Sequence, residues 1–161
     1  MEKTLTWNDI EDGIDNLEEQ INRAGIKFDW IVSINRGGLI PGVLLSHRLK
    51  IPHGVMTVTH YKDKEFSAEV KRDLYISMVG LFKSYHNILI VDDIADSGIC
   101  LEESIRAIKK IDPDPKQFCT ATLHYKNKSI VTPTFYAAKV ENDVWINYPW
   151  EIVNVKSGVA V

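Results

Sequence analysis

The sequence predicts an α/β fold, a mainly parallel sheet flanked by helices, and three observations carry that expectation. Short apolar runs rich in β-branched residues recur at 30–34, 55–59, 88–91, 118–123 and 135–140. Such runs read as strands buried on both faces. Stretches with helical periodicity lie between several of them, and strands alternating with helices build parallel sheets covered on both sides. The 161 residues are 45% hydrophobic, enough for one substantial core and too few for two. A single domain over 1–161 is therefore expected.

The elements follow in order. Thr6 and Asp9 have the spacing of a capping box, and Ile10, Ile14, Leu17, Ile21 and Ala24 then recur at helical intervals until Gly25. That pattern predicts an amphipathic first helix. Residues 39–49 read as a second helix after the strand at 30–34. Residues 101–111 read as a third, with Leu101, Ile105 and Ile108 on one face and Asp112-Pro113 as its stop. Two regions break the alternation. Residues 61–72 are charge-rich, with Lys62, Asp63, Lys64 and Glu65 in a row, and read as a loop or exposed hairpin. Residues 145–150 gather two tryptophans, a tyrosine and a proline and read as an irregular aromatic cluster.

Composition narrows the function classes. A formal net charge of −3 supplies no broad positive field for duplex phosphates, so nucleic acid is not an expected partner. No apolar run approaches the ~20 residues that a membrane-spanning helix needs. Cys100 and Cys119 have no paired or metal-ligand spacing, which fits a reducing, cytoplasmic setting.

The chemistry concentrates in the stretch from Ile88 to Cys100. An apolar strand delivers Asp92 and Asp93, and a small-residue turn around Asp96-Ser97-Gly98 then opens a helix. Ligands of open parallel sheets bind at the carboxyl ends of strands. N–H groups at a helix start have no intrahelical partner, and the helix dipole favours an anion beside them. A phosphate therefore fits over residues 97–100. The paired aspartates suit ribose hydroxyls or hydrated Mg²⁺, which takes few carboxylates directly. Taken alone, Asp96-Ser97 reads equally as a helix cap. The segment Asn35-Arg36-Gly37-Gly38 also follows an apolar strand and precedes a helix. An arginine fork and exposed backbone N–H groups there suit a diphosphate, although a lone Arg-Gly-Gly reads as a tight turn. Lys126, at the end of the apparent strand 120–125, reads by itself as a solvated strand terminus.

The stretch from Ile88 to Cys100 resembles the signature of type I phosphoribosyltransferases that binds phosphoribosyl pyrophosphate (PRPP). That signature is an apolar strand, two acidic residues, two mostly apolar residues and Asp-Thr/Ser-Gly leading into a helix. The segment from Ser33 to Gly42 resembles the pyrophosphate loop of the bacterial xanthine-guanine phosphoribosyltransferases, with Asn35 where serine is usual. The segment from Asp143 to Glu151 strengthens that subfamily choice.

The resemblance implies the type I phosphoribosyltransferase fold with a small base-binding hood, and Mg²⁺-dependent transfer from PRPP to a 6-oxopurine in purine salvage. It places Arg36 and Gly37 on the pyrophosphate, and Asp92 and Asp93 on the ribose or the metal. Asp96, Ser97, Gly98, Ile99 and Cys100 fall on the 5′-phosphate loop, with a thiol at Cys100 where many relatives have threonine. Asp96 becomes the catalytic residue, facing N7 of the purine. Lys126 would donate to the 6-oxo group, with Lys128 as the neighbouring candidate. Trp145 would stack on the base, and Ile146 and Asn147 would read its 2-position, Asn147 replacing an acidic residue of the relatives. The loop at 61–72 would close over the site, and the protein would form a homodimer or homotetramer. A non-catalytic PRPP sensor and a phosphoribosyltransferase for another nucleobase are the competing readings.

Overall fold

The computed structural model describes residues 1–58, 86–111 and 117–151. Five parallel strands form its main sheet, in the order β3-β2-β4-β5-β6. In chain order these are β2 (Trp30–Asn35), β3 (His53–Thr57), β4 (Asn87–Ala95), β5 (Gln117–Lys126) and β6 (Phe135–Val140). Helices α1 (Trp7–Ala24), α2 (Leu39–Leu49) and α3 (Ile99–Ile111) cover it.

Period-2 alternation in the strands divides the core between the two faces. Ile31, Leu89, Val91, Ala121 and Leu123 pack with Ile10, Ile14, Leu17 and Ile21 of α1 and Leu45 of α2. Trp30, Val32, Ile34, Ile88 and Ile90 pack with Leu101, Ala107 and Ile108 of α3 on the other side. Helix α1 starts with the expected capping box, in which Asp9 N–H donates to Thr6 Oγ1 and Thr6 N–H donates to Asp9 Oδ2. Its four buried apolar side chains are each worth about 1.5–3 kcal/mol of burial. Gly25, at φ 68°, ends it.

From β2 the chain crosses through α2 to β3 at one edge; from β4 it crosses through α3 to β5 in the opposite direction. The strand order thus reverses between β2 and β4. Their carboxyl ends frame the crevice in which open α/β sheets bind ligands.

Several boundaries differ from expectation. Strand β4 runs on through Asp92 and Asp93 to Ala95, because β5 keeps pairing with it at Asp92↔Thr122, Ile94↔His124 and Ala95↔Tyr125. Helix α3 begins at Ile99, two residues before the expected start. Strand β3 spans His53–Thr57 rather than 55–59, and Thr59 lies outside the described residues. The expected loop at 61–72 also lies outside them. The aromatic cluster is not wholly irregular: β7 (Trp145–Asn147) pairs in parallel with β1 (Glu2–Thr4), forming a second, two-stranded sheet. Three-residue strands joined from distant parts of a chain carry no local periodic signal.

Candidate active site

The loop after β2 and the end of β4 meet in the crevice. Gly38 N–H donates back to Ile34 O at 2.9 Å, closing the turn that starts α2. The Asn35–Arg36 peptide bond is cis, and the Arg36 side chain is exposed. A Cβ at Gly37 would overlap the Asp93 carboxylate, and one at Gly38 would lie 2.9 Å from Asp92 Cα. The two segments singled out in the sequence are therefore in contact, with no room for a side chain at Gly37.

The two aspartates lie close together, Asp93 N–H donating to Asp92 Oδ1 at 3.0 Å. The Asp93 carboxylate lies against Gly37 and Asp92 against Gly38, so both adjoin the loop that opens α2. Burial, then the neighbouring charge of Asp93, pushes the Asp92 carboxyl well above the usual carboxylate range. Burial also pushes Asp93 up, to about 6, with Glu151 adding to the rise. Among the described residues neither carboxylate has an ion-pair partner. An acidic pair, Asp92 buried and Asp93 half-buried, with no counter-charge among the described residues is suited to a cation. No group of three metal-ligating side chains forms among the described residues. The donor set therefore fits a hard cation that keeps waters and takes further oxygens from a phosphorylated substrate.

At the start of α3, Gly98 adopts φ 79°, and Ile130 N–H donates to Ser97 O at 2.9 Å. A side chain at Gly98 would strike Val131 N at 2.7 Å. The turn is thus braced against the crossover that follows β5. Ser97 is exposed and Ile99 and Cys100 are half-buried at the helix start, where N–H groups lack intrahelical acceptors. Burial, then the charges of Asp92 and Asp93, pushes the Cys100 thiol up to about 11. Cys100 stays protonated near neutrality.

Asp96 does not stand alone. Its Oδ1 is 2.8 Å from Lys126 Nζ and 2.9 Å from Lys128 Nζ. Burial alone would raise its carboxyl; hydrogen bonds and charge from Lys126 and Lys128 outweigh that and hold it below the usual range. Lys126 is buried, at 5% exposure, because β5 carries it into the site rather than out to solvent. The solvated-terminus reading of Lys126 is therefore overturned.

Two participants escaped the sequence reading. Tyr148 Oη donates to the Asp93 carbonyl oxygen at 3.1 Å, and His124 Nδ1 lies 2.9 Å from the same hydroxyl. With the hydroxyl proton committed to Asp93, His124 must donate, which fixes its proton on Nδ1. Tyr148 lies in the aromatic cluster visible in the sequence, but His124, one position within a strand, gives no signal there. Trp145 is 64% exposed, Ile146 is buried, and Asn147 Nδ2 lies 3.5 Å from both Glu2 Oε2 and Thr4 Oγ1. Trp150 stacks on Tyr148 with ring centroids 4.7 Å apart and packs, half-buried, against the core.

An open parallel sheet with a phosphate-ready turn, an acidic pair and a glycine loop across the switch point defines a sugar-phosphate-binding class. The model of the phosphoribosyl transferase domain matches residues 3–156, and the chain belongs to that family. It is 28% identical over 149 residues to the xanthine-guanine phosphoribosyltransferase of Chromohalobacter salexigens, covering 92% of this chain and 83% of that one. Among solved structures it is similar to a purine phosphoribosyltransferase from Pyrococcus horikoshii, with a TM-score of 0.74, 31% identity, and 97% and 98% of the two chains covered. A Neisseria gonorrhoeae protein solved with bound ppGpp aligns with a TM-score of 0.73 and 27% identity over 96% of this chain and 93% of that one.

Proposed function

We propose that this protein transfers the phosphoribosyl group of PRPP to a 6-oxopurine (guanine, xanthine or hypoxanthine), releasing pyrophosphate, as a purine-salvage enzyme. The observation that carries the reading is the Asp96–Lys126–Lys128 cluster beside the acidic pair. A purine presents N7 and a 6-oxo oxygen along one edge. A carboxylate beside an ammonium matches that edge, whereas a 6-amino group would set its hydrogens against the ammonium.

In this reading Arg36 and the backbone of Gly37 hold the pyrophosphate, and residues 96–100 hold the 5′-phosphate. Asp92 and Asp93 face the ribose and would hold Mg²⁺, which when bound supplies charge neutralisation for the diphosphate. Trp145 offers an exposed indole for stacking, next to Ile146 and Asn147 at the 2-position. N9 of the base attacks the anomeric carbon as its bond to pyrophosphate oxygen breaks and the electron pair leaves with pyrophosphate. Asp96 then accepts the N7 proton. The developing oxocarbenium charge lies near the aspartates, so the same groups that bind the ribose stabilise it.

The test is to incubate the protein with Mg²⁺, PRPP and each purine base in turn, measuring nucleotide and pyrophosphate. No product with any base would overturn the enzyme assignment and leave PRPP sensing. Asp96→Asn should cut turnover sharply while sparing PRPP binding. Lys126→Ala should weaken oxopurine binding more than PRPP binding.

A further inference from the structure

The two lysines on Asp96 are not equivalent. Lys126 ends β5 with its side chain 6% exposed, whereas the Lys128 side chain is 44% exposed, and both ammonium groups address one oxygen, Oδ1. A single carboxylate thus holds two cations. The reading above gives Lys126 a second task, donation to the 6-oxo group, and an ammonium drawn to that oxygen loosens its hold on Asp96. Without a replacement, the half-buried carboxylate would lose its counter-charge at the step where it must accept a proton.

We propose that Lys128 is the positioning residue for Asp96, keeping its carboxylate ionised and aimed while Lys126 engages the purine. This rests on the assignment of Asp96 to N7 and Lys126 to the 6-oxo oxygen. The backbone around Lys128 is built for such a role. Lys128 N–H donates to Asn142 Oδ1 at 3.1 Å, Ser129 N–H to Lys126 O at 3.0 Å, and Ile130 N–H to Ser97 O at 2.9 Å. The turn carrying Lys128 is therefore tied to the end of β5, to the segment between β6 and β7, and to the phosphate loop that carries Asp96. Gly98 packs directly beneath it, against Ser129 and the backbone of Ile130 and Val131. Lys128 and Asp96 thus belong to one braced unit, in which only the flexible lysine stem has to follow the carboxylate. Among the described residues, Lys126 from β5 and Lys128 from the turn are the charged groups that bear on Asp96.

The experiment follows the Asp96 carboxyl by ¹³C NMR titration of the full chain, its resonance assigned with Asp96→Asn. Lys126→Met mimics withdrawal of that lysine, and Asp96 should then still titrate below the usual carboxylate range. Adding Lys128→Met should raise the midpoint by roughly one pH unit or more, the size expected for losing an adjacent opposite charge. In turnover, Lys128→Met alone should move the acid limb of kcat with hypoxanthine to higher pH with KM for PRPP unchanged, and Lys128→Arg should restore it. A lysine that merely supports the turn would lower Tm and scale activity equally at every pH. An Asp96 midpoint that is the same in Lys126→Met with and without Lys128→Met would overturn the proposal. Absence of turnover in the unaltered protein would instead overturn the functional reading, and the titration would still decide whether Lys128 controls Asp96.

Discussion

Replacing His124 with Asn should change how stability depends on pH. His124 is 7% exposed, and burial, then the positive charge of Lys3, lowers its pKa from the ordinary 6.5 to about 4. Between those values the unfolded chain binds a proton that the folded chain refuses. The stabilisation from neutral His124 is therefore complete above pH 6.5 and is lost as pH falls towards 4. At about 1.4 kcal/mol for each pH unit between the two values, the loss amounts to about 3 kcal/mol. Asp93 acts in the opposite sense. With its pKa raised to about 6, it stabilises the folded state below its ordinary 3.8 and loses that contribution as pH rises through 6. The two windows overlap, so the unaltered protein conceals both slopes. The asparagine amide can still donate to Tyr148 Oη but does not titrate, leaving the Asp93 slope exposed. Urea unfolding of both proteins from pH 4 to 7.5 gives the difference directly. The stability of His124→Asn relative to the parent should rise by about 3 kcal/mol between pH 6.5 and 4. Parallel profiles would refute the claim that His124 is buried in its neutral form.

Four further outcomes follow from the site. Gly37→Ala should displace the loop from the Asp93 carboxylate and cut kcat/KM for PRPP by roughly 100-fold, with far-UV circular dichroism unchanged; a change below twofold would show that the contact yields freely. Mg²⁺ binding in the presence of PRPP should release protons near pH 6, because Asp93 is then partly protonated, and calorimetry in buffers of different ionisation enthalpy would detect it. Equal heats after buffer correction for zero protons would count against the pair as the metal site. Asp92→Asn should abolish turnover yet raise Tm at pH 8 without Mg²⁺, since it removes a carboxylate whose folded pKa is raised, and this gain should vanish near pH 3. Cys100, with its thiol pushed up to about 11, should react with iodoacetamide at pH 8 at least about tenfold more slowly in the folded protein than in urea, read by mass spectrometry of its peptide.

What the sequence disclosed depended on whether the signal was local. The capping box at Thr6 and the stripe Ile10, Ile14, Leu17 and Ile21 lie within one helix, so period and cap are visible without any tertiary contact. The same holds for Arg36-Gly37-Gly38 and for the run from Asp92 to Cys100, whose chemistry lies in adjacent residues. The failures share a different physical origin. Strand β4 extends to Ala95 because β5 offers hydrogen bonds that far, and aspartates by themselves favour a strand end. Strand β7 exists because residues 2–4 pair with it from the other end of the sequence. His124 looks like one more position in a buried run, since only the fold places the Tyr148 hydroxyl beside its ring.

The arrangement at the switch point explains why this sheet tolerates groups that cost it stability. Two adjacent carboxylates with no counter-charge among the described residues are a poor choice for holding β4 in place, and β4 lies at the centre of the sheet with partners on both sides. A bound cation would convert that liability into affinity, because the charge repulsion it relieves is already present in the fold. Asp96 follows the contrary logic. It lies on a turn rather than in the strand and is paired with two ammonium groups, so its charge is secured before a ligand arrives. The site therefore keeps one acidic pair short of positive charge and one carboxylate with an excess of it, only three residues apart. Cation binding and proton acceptance need those opposite environments, and the bend from β4 into the Asp96–Gly98 turn separates them.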